Sequence, residues 1–159
     1  MKLTFEAPLL AVRDVERSKR FYCELFDQKV VLDLGENVTF SDGFAIQEGF
    51  DRLTGIPRAS VRERPHNMEL YFETDDLEAF MQRLEALDNP VELLHPPRTY
   101  PWQQRVVRLY DPDGHLIEVG EAMPIVVRRC LREGLTPQQT AEITQHPLEF
   151  VLRCAEECK

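Results

Sequence analysis

Several features are missing from this chain, and each absence removes a class of function. Its longest apolar runs fall far short of the ~20 residues that a bilayer span requires, and the stretch MKLTFEAPLL has no signal-peptide core. The expectation is therefore a cytoplasmic protein with no membrane partner. A basic excess is missing too: 19 Lys and Arg stand against 28 Asp and Glu, a net charge of -9. That is a poor footprint for nucleic-acid phosphates, so no nucleic-acid partner is expected. None of the four cysteines forms a Cys-x-x-Cys pair, and reduced, buried thiols are expected at Cys23, Cys130, Cys154 and Cys158. The alternative for the last three is a thiolate metal site, since Cys154 and Cys158 lie four apart on an expected helix.

What remains is ordinary globular composition. A chain of 159 residues, 43% hydrophobic and 30% charged, is one domain or one domain with a short appendage. The acidic excess is confined to residues 1–123; residues 124–159 carry five charges of each sign.

The chain also repeats itself. LLAVRDVERSKRFYCELF (9–26) and LYFETDDLEAFMQRLEAL (70–87) each read as a short apolar strand, an Asp and an amphipathic helix. Asp14 is the expected cap of the first helix, whose stripe is Phe21, Tyr22, Leu25 and Phe26. Asp75 and Glu78 form the expected capping box of the second, whose stripe is Leu77, Phe80, Met81, Leu84 and Leu87. Further on, SDGFAIQEG (41–49) lines up with PDGHLIEVG (112–120), each an Asp-Gly turn before an extended apolar segment. Strands at 29–34 and 37–41, and at 91–95 and 104–110, complete two β-α-β-β-β modules. The expected division is module one at 1–49, an aperiodic connector at 50–66 and module two at 67–123.

These pieces resemble a known family. AVRDVERSKRFY, YFETDDLEAF, PWQQRVVRLYDPDG and HLIEVGE, spread over residues 5–122, are similar to the vicinal oxygen chelate superfamily of glyoxalase I, bleomycin-resistance proteins and extradiol dioxygenases. The resemblance implies an α+β fold in which two paired β-α-β-β-β modules form a U-shaped mixed sheet around a cavity. It also implies four inward positions, on the first and last strand of each module, that hold a divalent metal in the family's enzymes. Those positions fall here on Ala7, Gln47, Glu69 and Glu118, so the implied metal ligands are Gln47, Glu69 and Glu118. Ala7 has no donor, and imidazole is missing from both first-strand positions, so a His- and Glu-built site is incomplete.

Strand alternation puts Glu69 and Tyr71 on one face, opposite the apolar side of 68–74, and leaves Glu118 inward when Ile117 and Val119 cover helices. Glu118 and Glu69 are the candidate catalytic residues, with Glu118 as a general base for proton abstraction beside a carbonyl. The competing role is a pair of strand carboxylates bonded to Arg105 or Arg108. Substrate-binding candidates are Tyr71, Tyr100, Trp102 and Arg105. The proline-rich segment 95–105 is stiff enough to place Tyr100 and Trp102 over a planar ligand, or equally to plug the barrel end or fill a dimer contact.

Residues 124–159 stand outside the repeat. PIVVRRCLREG reads as a helix closed by Gly134, Thr136-Pro137 starts a second, and His146-Pro147 separates a third with the stripe Leu148, Val151, Leu152 and Ala155. A faint helix-turn-helix likeness lacks the basic cluster of a recognition helix, so these helices are expected to cover a sheet edge or mediate a homodimer. Two functions compete: a glyoxalase-like lyase or isomerase acting on a small carbonyl compound, with a divalent metal, and a non-catalytic small-molecule-binding protein of the antibiotic-resistance kind.

Overall fold

The computed structural model describes residues 1–156. The elements run β1 (Leu9–Val12), α1 (Val15–Phe26), β2 (Val30–Asp33), β3 (Asn37–Phe40), β4 (Ala45–Glu48), α2 (Phe50–Thr54), β5 (Glu69–Thr74), α3 (Leu77–Glu85), β6 (Leu93–Thr99), β7 (Arg105–Tyr110), β8 (Leu116–Glu121), α4 (Met123–Arg132), α5 (Pro137–Thr144) and α6 (Leu148–Glu156). Two four-stranded sheets form, ordered β1-β4-β3-β2 and β5-β8-β7-β6. The two orders are the same, so the sequence repeat is a repeat of topology. No helix among the described residues is long and apolar enough to cross a membrane.

The chain divides into two compact units. One is Met1–Glu69 with the segment Tyr110–Leu116; the other is Leu70–Leu109 with the chain from Ile117 onward. In the first, β1 pairs parallel to β4, and β3 runs antiparallel to both β4 and β2. Asp14 starts α1 by accepting the Arg17 amide hydrogen, which satisfies one of the free donors of the first turn. The helix buries Tyr22 and Leu25 against Leu10, Val38, Phe40, Phe44 and Ile46. The Tyr22, Phe40 and Phe44 rings lie 4.8–5.5 Å apart, within the range of favourable aromatic pairs.

Asp111, just before the second Asp-Gly turn, and Asp113, the aspartate of that turn, are the buried polar centre of this unit. Asp113 accepts from the Arg13 amide (3.0 Å), Arg13 Nε (2.9 Å), Arg17 (2.8 Å) and Ser18 Oγ (3.0 Å). Burial alone would raise its carboxyl, but those donors hold it below the usual carboxylate range. Asp111 accepts from the Tyr22 hydroxyl and from His115 Nδ1, both at 2.8 Å. Gly43 and Gly114 close the two matching turns at φ +85° and +87°, a conformation that glycine adopts without steric cost.

In the second unit α3 buries Leu77, Phe80 and Leu84, while Val106, Val107, Leu109, Ile117 and Val119 make up the sheet's apolar layer. Its helical extension has a core of its own. Met123, Val126 and Cys130 gather Trp102, Leu135 and Phe150, and Val127, Val151 and Cys154 gather Leu131, Ala141 and Phe150. Thr136 and Gln139 form a reciprocal capping box at the start of α5.

Four local expectations change. The cap of α3 is Asp76, whose side chain accepts the Ala79 amide hydrogen, so Asp75 and Glu78 make no capping box. Glu78 is drawn instead to Arg105. β6 continues through Pro96 and Pro97 to Thr99, with register shifts on both sides of His95; it is the edge strand, where prolines cost no ladder bonds. The connector 50–66 contains α2 and a 3-10 turn at Arg58–Ser60. On α6 the buried residues are Val151 and Cys154, while Leu148 and Leu152 are exposed. Cys130 is a buried free thiol and Cys23 a partly buried one, Cys154 is buried, and Cys158 lies outside the described residues.

Candidate functional site

Glu118 sits near the middle of β8, buried to 8% exposure between Ile117 and Val119. Its carboxylate accepts from the Arg108 guanidinium on β7, and Arg108 also donates to the Tyr100 hydroxyl. The guanidinium carbon lies 5.5 Å from the Tyr100 ring centre, within cation–π range. Tyr100 in turn stacks on Trp102, with centroids 4.7 Å apart and an interplanar angle of 27°.

The chain of contacts continues. Trp102 Nε1 donates to Gln104 Oε1 at 2.8 Å, and Gln104 Nε2 donates to the Tyr71 hydroxyl (2.9 Å) and to the Glu121 carbonyl (2.8 Å). Tyr71 donates to Glu73 at 2.8 Å. Desolvation first, and then the bond to Glu73, push the Tyr71 hydroxyl up to about 12. It stays protonated at neutral pH and serves as a donor. The Gln104 amide also approaches Gly120 so closely that a Cβ there would meet it at 2.6 Å, which explains the glycine near the end of β8.

A second ionic cluster supports this wall. Glu121 accepts from the Arg105 amide (3.0 Å), Arg105 Nε (2.9 Å) and terminal guanidinium nitrogen (2.6 Å), and from both terminal nitrogens of Arg129 (3.1 and 3.0 Å). Burial would raise the Glu121 carboxyl, but Arg105 and Arg129 hold it below the usual range. Arg105 is bound by Glu121 and Glu78 together, and both raise its pKa. Its side chain is thereby committed to the protein.

The sequence-derived residues fall into three groups. Glu118, Tyr71, Tyr100 and Trp102 belong to one bonded array on the second sheet, with Arg105 in the adjoining ion cluster. Glu69 begins β5 on its exposed face, in step with Tyr71 and Glu73. Gln47 is buried on β4 of the first unit, where its Oε1 accepts from Asn37 Nδ2 at 3.0 Å and its Nε2 donates to the Glu48 carbonyl at 2.7 Å. Sequence reasoning missed Gln104, Glu121 and Arg129. Glu121 lies three residues from Glu118 on β8 and so on the opposite face, which strand alternation does not connect to the site, and nothing local ties Arg129 to either.

A divalent ion is implied by the resemblance, and the donors as folded do not fit one. Ala7 offers no donor, and the Gln47 amide oxygen is occupied by Asn37. A cation at Glu118 would displace Arg108, whose side chain is 19% exposed; stranding a charge from a buried pair costs about 3–5 kcal/mol. Among the described residues no group of three or more His, Cys, Asp and Glu side chains is placed to hold a metal ion.

Comparison with known proteins agrees with this fold. No curated protein matches the chain. Among solved structures, a protein of unknown function from Agrobacterium tumefaciens str. C58 is 44% identical over 77% of this chain and 96% of its own, with a TM-score of 0.65. A glyoxalase-related enzyme from Fulvimarina pelagi is 26% identical over 76% and 88%, with a TM-score of 0.61. The fosfomycin resistance protein FosX from Listeria monocytogenes, 24% identical over 77% and 95% with a TM-score of 0.58, shares the fold. The model of the glyoxalase-like domain matches residues 5–124, the twin modules and the first residues of α4. With three-quarters of its length matched in this way, the chain belongs to the glyoxalase-like domain family of the vicinal oxygen chelate superfamily.

Proposed function

We propose that the chain binds a small organic molecule on the face of its second sheet that carries Glu118, Arg108 and Tyr100, and that it does so without a resident metal and without turnover. The single observation that carries this reading is the Arg108–Glu118 pair. It occupies the carboxylate that a metal or a substrate proton would need, while it sets a guanidinium, a phenol and a carboxylate side by side. Such a set reads a ligand through hydrogen bonds and ring contact.

The test is a titration of the whole chain with fosfomycin, with bleomycin and with the hemithioacetal of methylglyoxal and glutathione, followed by thermal melting and by the emission of Trp102, the sole tryptophan. At least one compound should raise the melting temperature without being consumed. Arg108→Ala should weaken its binding roughly tenfold or more, since one hydrogen bond to a charged group is worth about 1.5–3 kcal/mol.

The enzymatic reading, a lyase or isomerase acting on a carbonyl compound with a divalent ion, draws on one observation: Glu118 is buried on the closing strand where the superfamily places a ligand. Chelator-sensitive conversion of the hemithioacetal would establish that reading and overturn ours. We propose further that the chain works as a homodimer. Leu3, Phe5, Val31 and Leu32 of the first unit are exposed apolar side chains, the kind of surface that marks an association site; sedimentation would give the mass. The absence of a disulfide at Cys23 and Cys130 supports a reducing, cytoplasmic setting.

A further inference from the structure

We propose that the helical extension is a positioning device for this site, and that Arg129 on α4 is its working contact: it holds the turn Tyr100–Gln104 and, through that turn, sets Tyr100 and Arg108 beside Glu118. The inference rests on the reading of that face as a binding surface, and it concerns residues outside the match to the family, which ends at residue 124.

Arg129 makes two kinds of contact. Its terminal nitrogens grip both oxygens of Glu121, and one of them also donates to the Gln103 carbonyl at 2.5 Å. Gln103 has φ +69°, a left-handed conformation that a non-glycine residue keeps only where its surroundings enforce it. The turn is otherwise held by short backbone bonds, Gln103 N to Tyr100 O at 2.8 Å and Tyr100 N to Gln104 O at 2.9 Å. The second grip is apolar, since Trp102 packs on Met123, Val126 and Cys130 of α4.

Tyr100 lies on Trp102 and its hydroxyl takes a hydrogen from Arg108, which holds Glu118. A continuous path of contacts therefore runs from α4 to the buried carboxylate. α4 is itself braced by Val151, Cys154 and Phe150 of α6 and by Ala141 of α5, which complete its core. This gives the extension a job that needs no partner and no nucleic acid: it adds an anchor at Gln103 and Trp102 to a loop that the second module also ties down through Gln104 and Arg108.

The experiment compares Arg129→Ala and Arg129→Lys with Arg132→Ala, a change to an exposed arginine of the same helix that, among the described residues, bonds the Arg128 carbonyl. Trp102 emission and acrylamide quenching are read without ligand, at a temperature where far-UV circular dichroism shows each variant folded. The dissociation constant for bleomycin is read alongside. Arg129→Ala should red-shift Trp102, raise its quenching and weaken bleomycin roughly tenfold, the scale of one charged hydrogen bond. Arg129→Lys, which keeps a charge for Glu121 but cannot span both partners, should fall between, and Arg132→Ala should match the parent.

Should Arg129→Ala fail to fold, Arg129→Lys carries the test alone. Unchanged Trp102 emission and quenching in the folded Arg129 variants would overturn the proposal, as would an equal change in Arg132→Ala. If none of fosfomycin, bleomycin and the hemithioacetal binds the parent, while Trp102 responds as described, the binding reading fails and the positioning role of the extension stands.

Discussion

Replacing Glu121 by Gln perturbs the most heavily bonded carboxylate of the second unit with almost no change of shape. Five hydrogen bonds from Arg105 and Arg129, between 2.6 and 3.1 Å, end on its two oxygens. Each bond to a charged group is worth about 1.5–3 kcal/mol alone, but five bonds on one carboxylate do not add. The better measure is the removal of one member of a buried ion pair, about 3–5 kcal/mol. At roughly 2–4 °C per kcal/mol for a domain of this size, Glu121→Gln should lower the melting temperature by about 6–20 °C, at the small end because the amide oxygen still accepts. The control is Glu78→Gln, which removes a carboxylate from the same Arg105. Glu78 is 63% exposed, so its loss should cost no more than about 1 kcal/mol and should shrink as salt is added. Paired thermal and urea melts decide the matter. If Glu121→Gln loses no more than Glu78→Gln, burial does not control the strength of these pairs and the reasoning is wrong.

Asp76→Ala should cost about 1 kcal/mol as the loss of an N-cap, and Asp75→Ala should cost almost nothing; urea melts of the two separate them. Acid stability follows from Asp113 and Glu121, whose carboxyls are both held low in the fold. A depressed carboxyl stabilises above its unfolded value, about 4, and that contribution drains away as pH falls through the folded value. Melting temperature should thus drop below about pH 4, and Asp113→Asn should flatten the drop; an identical profile in Asp113→Asn would contradict the assignment.

The amino-acid sequence carries the twin topology plainly because each module repeats the same signals. An Asp caps a helix with an apolar stripe, and an Asp-Gly turn precedes a closing strand. It also carries the alternation of β8, in which apolar Ile117 and Val119 flank the buried Glu118. Where the expectation slipped, a competing physical effect won. Two adjacent aspartates offer α3 equivalent caps, and the choice falls on Asp76 while Arg105 takes the Glu78 side chain that the capping box would use. Prolines argue for a loop at 96–97, yet an edge strand tolerates them. α6 has apolar residues on two sides, and packing on α4 and α5 selects Val151 and Cys154. The partners of Glu118 and Glu121 could not be fixed in advance, because Arg105 and Arg108 were interchangeable on paper and Arg129 reaches Gln103 across 26 residues.

Our central proposal is that the Arg108–Glu118 ion pair stands in this glyoxalase-like fold in place of a metal. Elemental analysis of the chain purified without chelator, set beside its Glu118→Gln variant, tests that directly. The account predicts far less than one divalent ion per chain in both. One ion per chain in the parent, lost in Glu118→Gln, would show that the carboxylate releases Arg108 to bind metal and would contradict it.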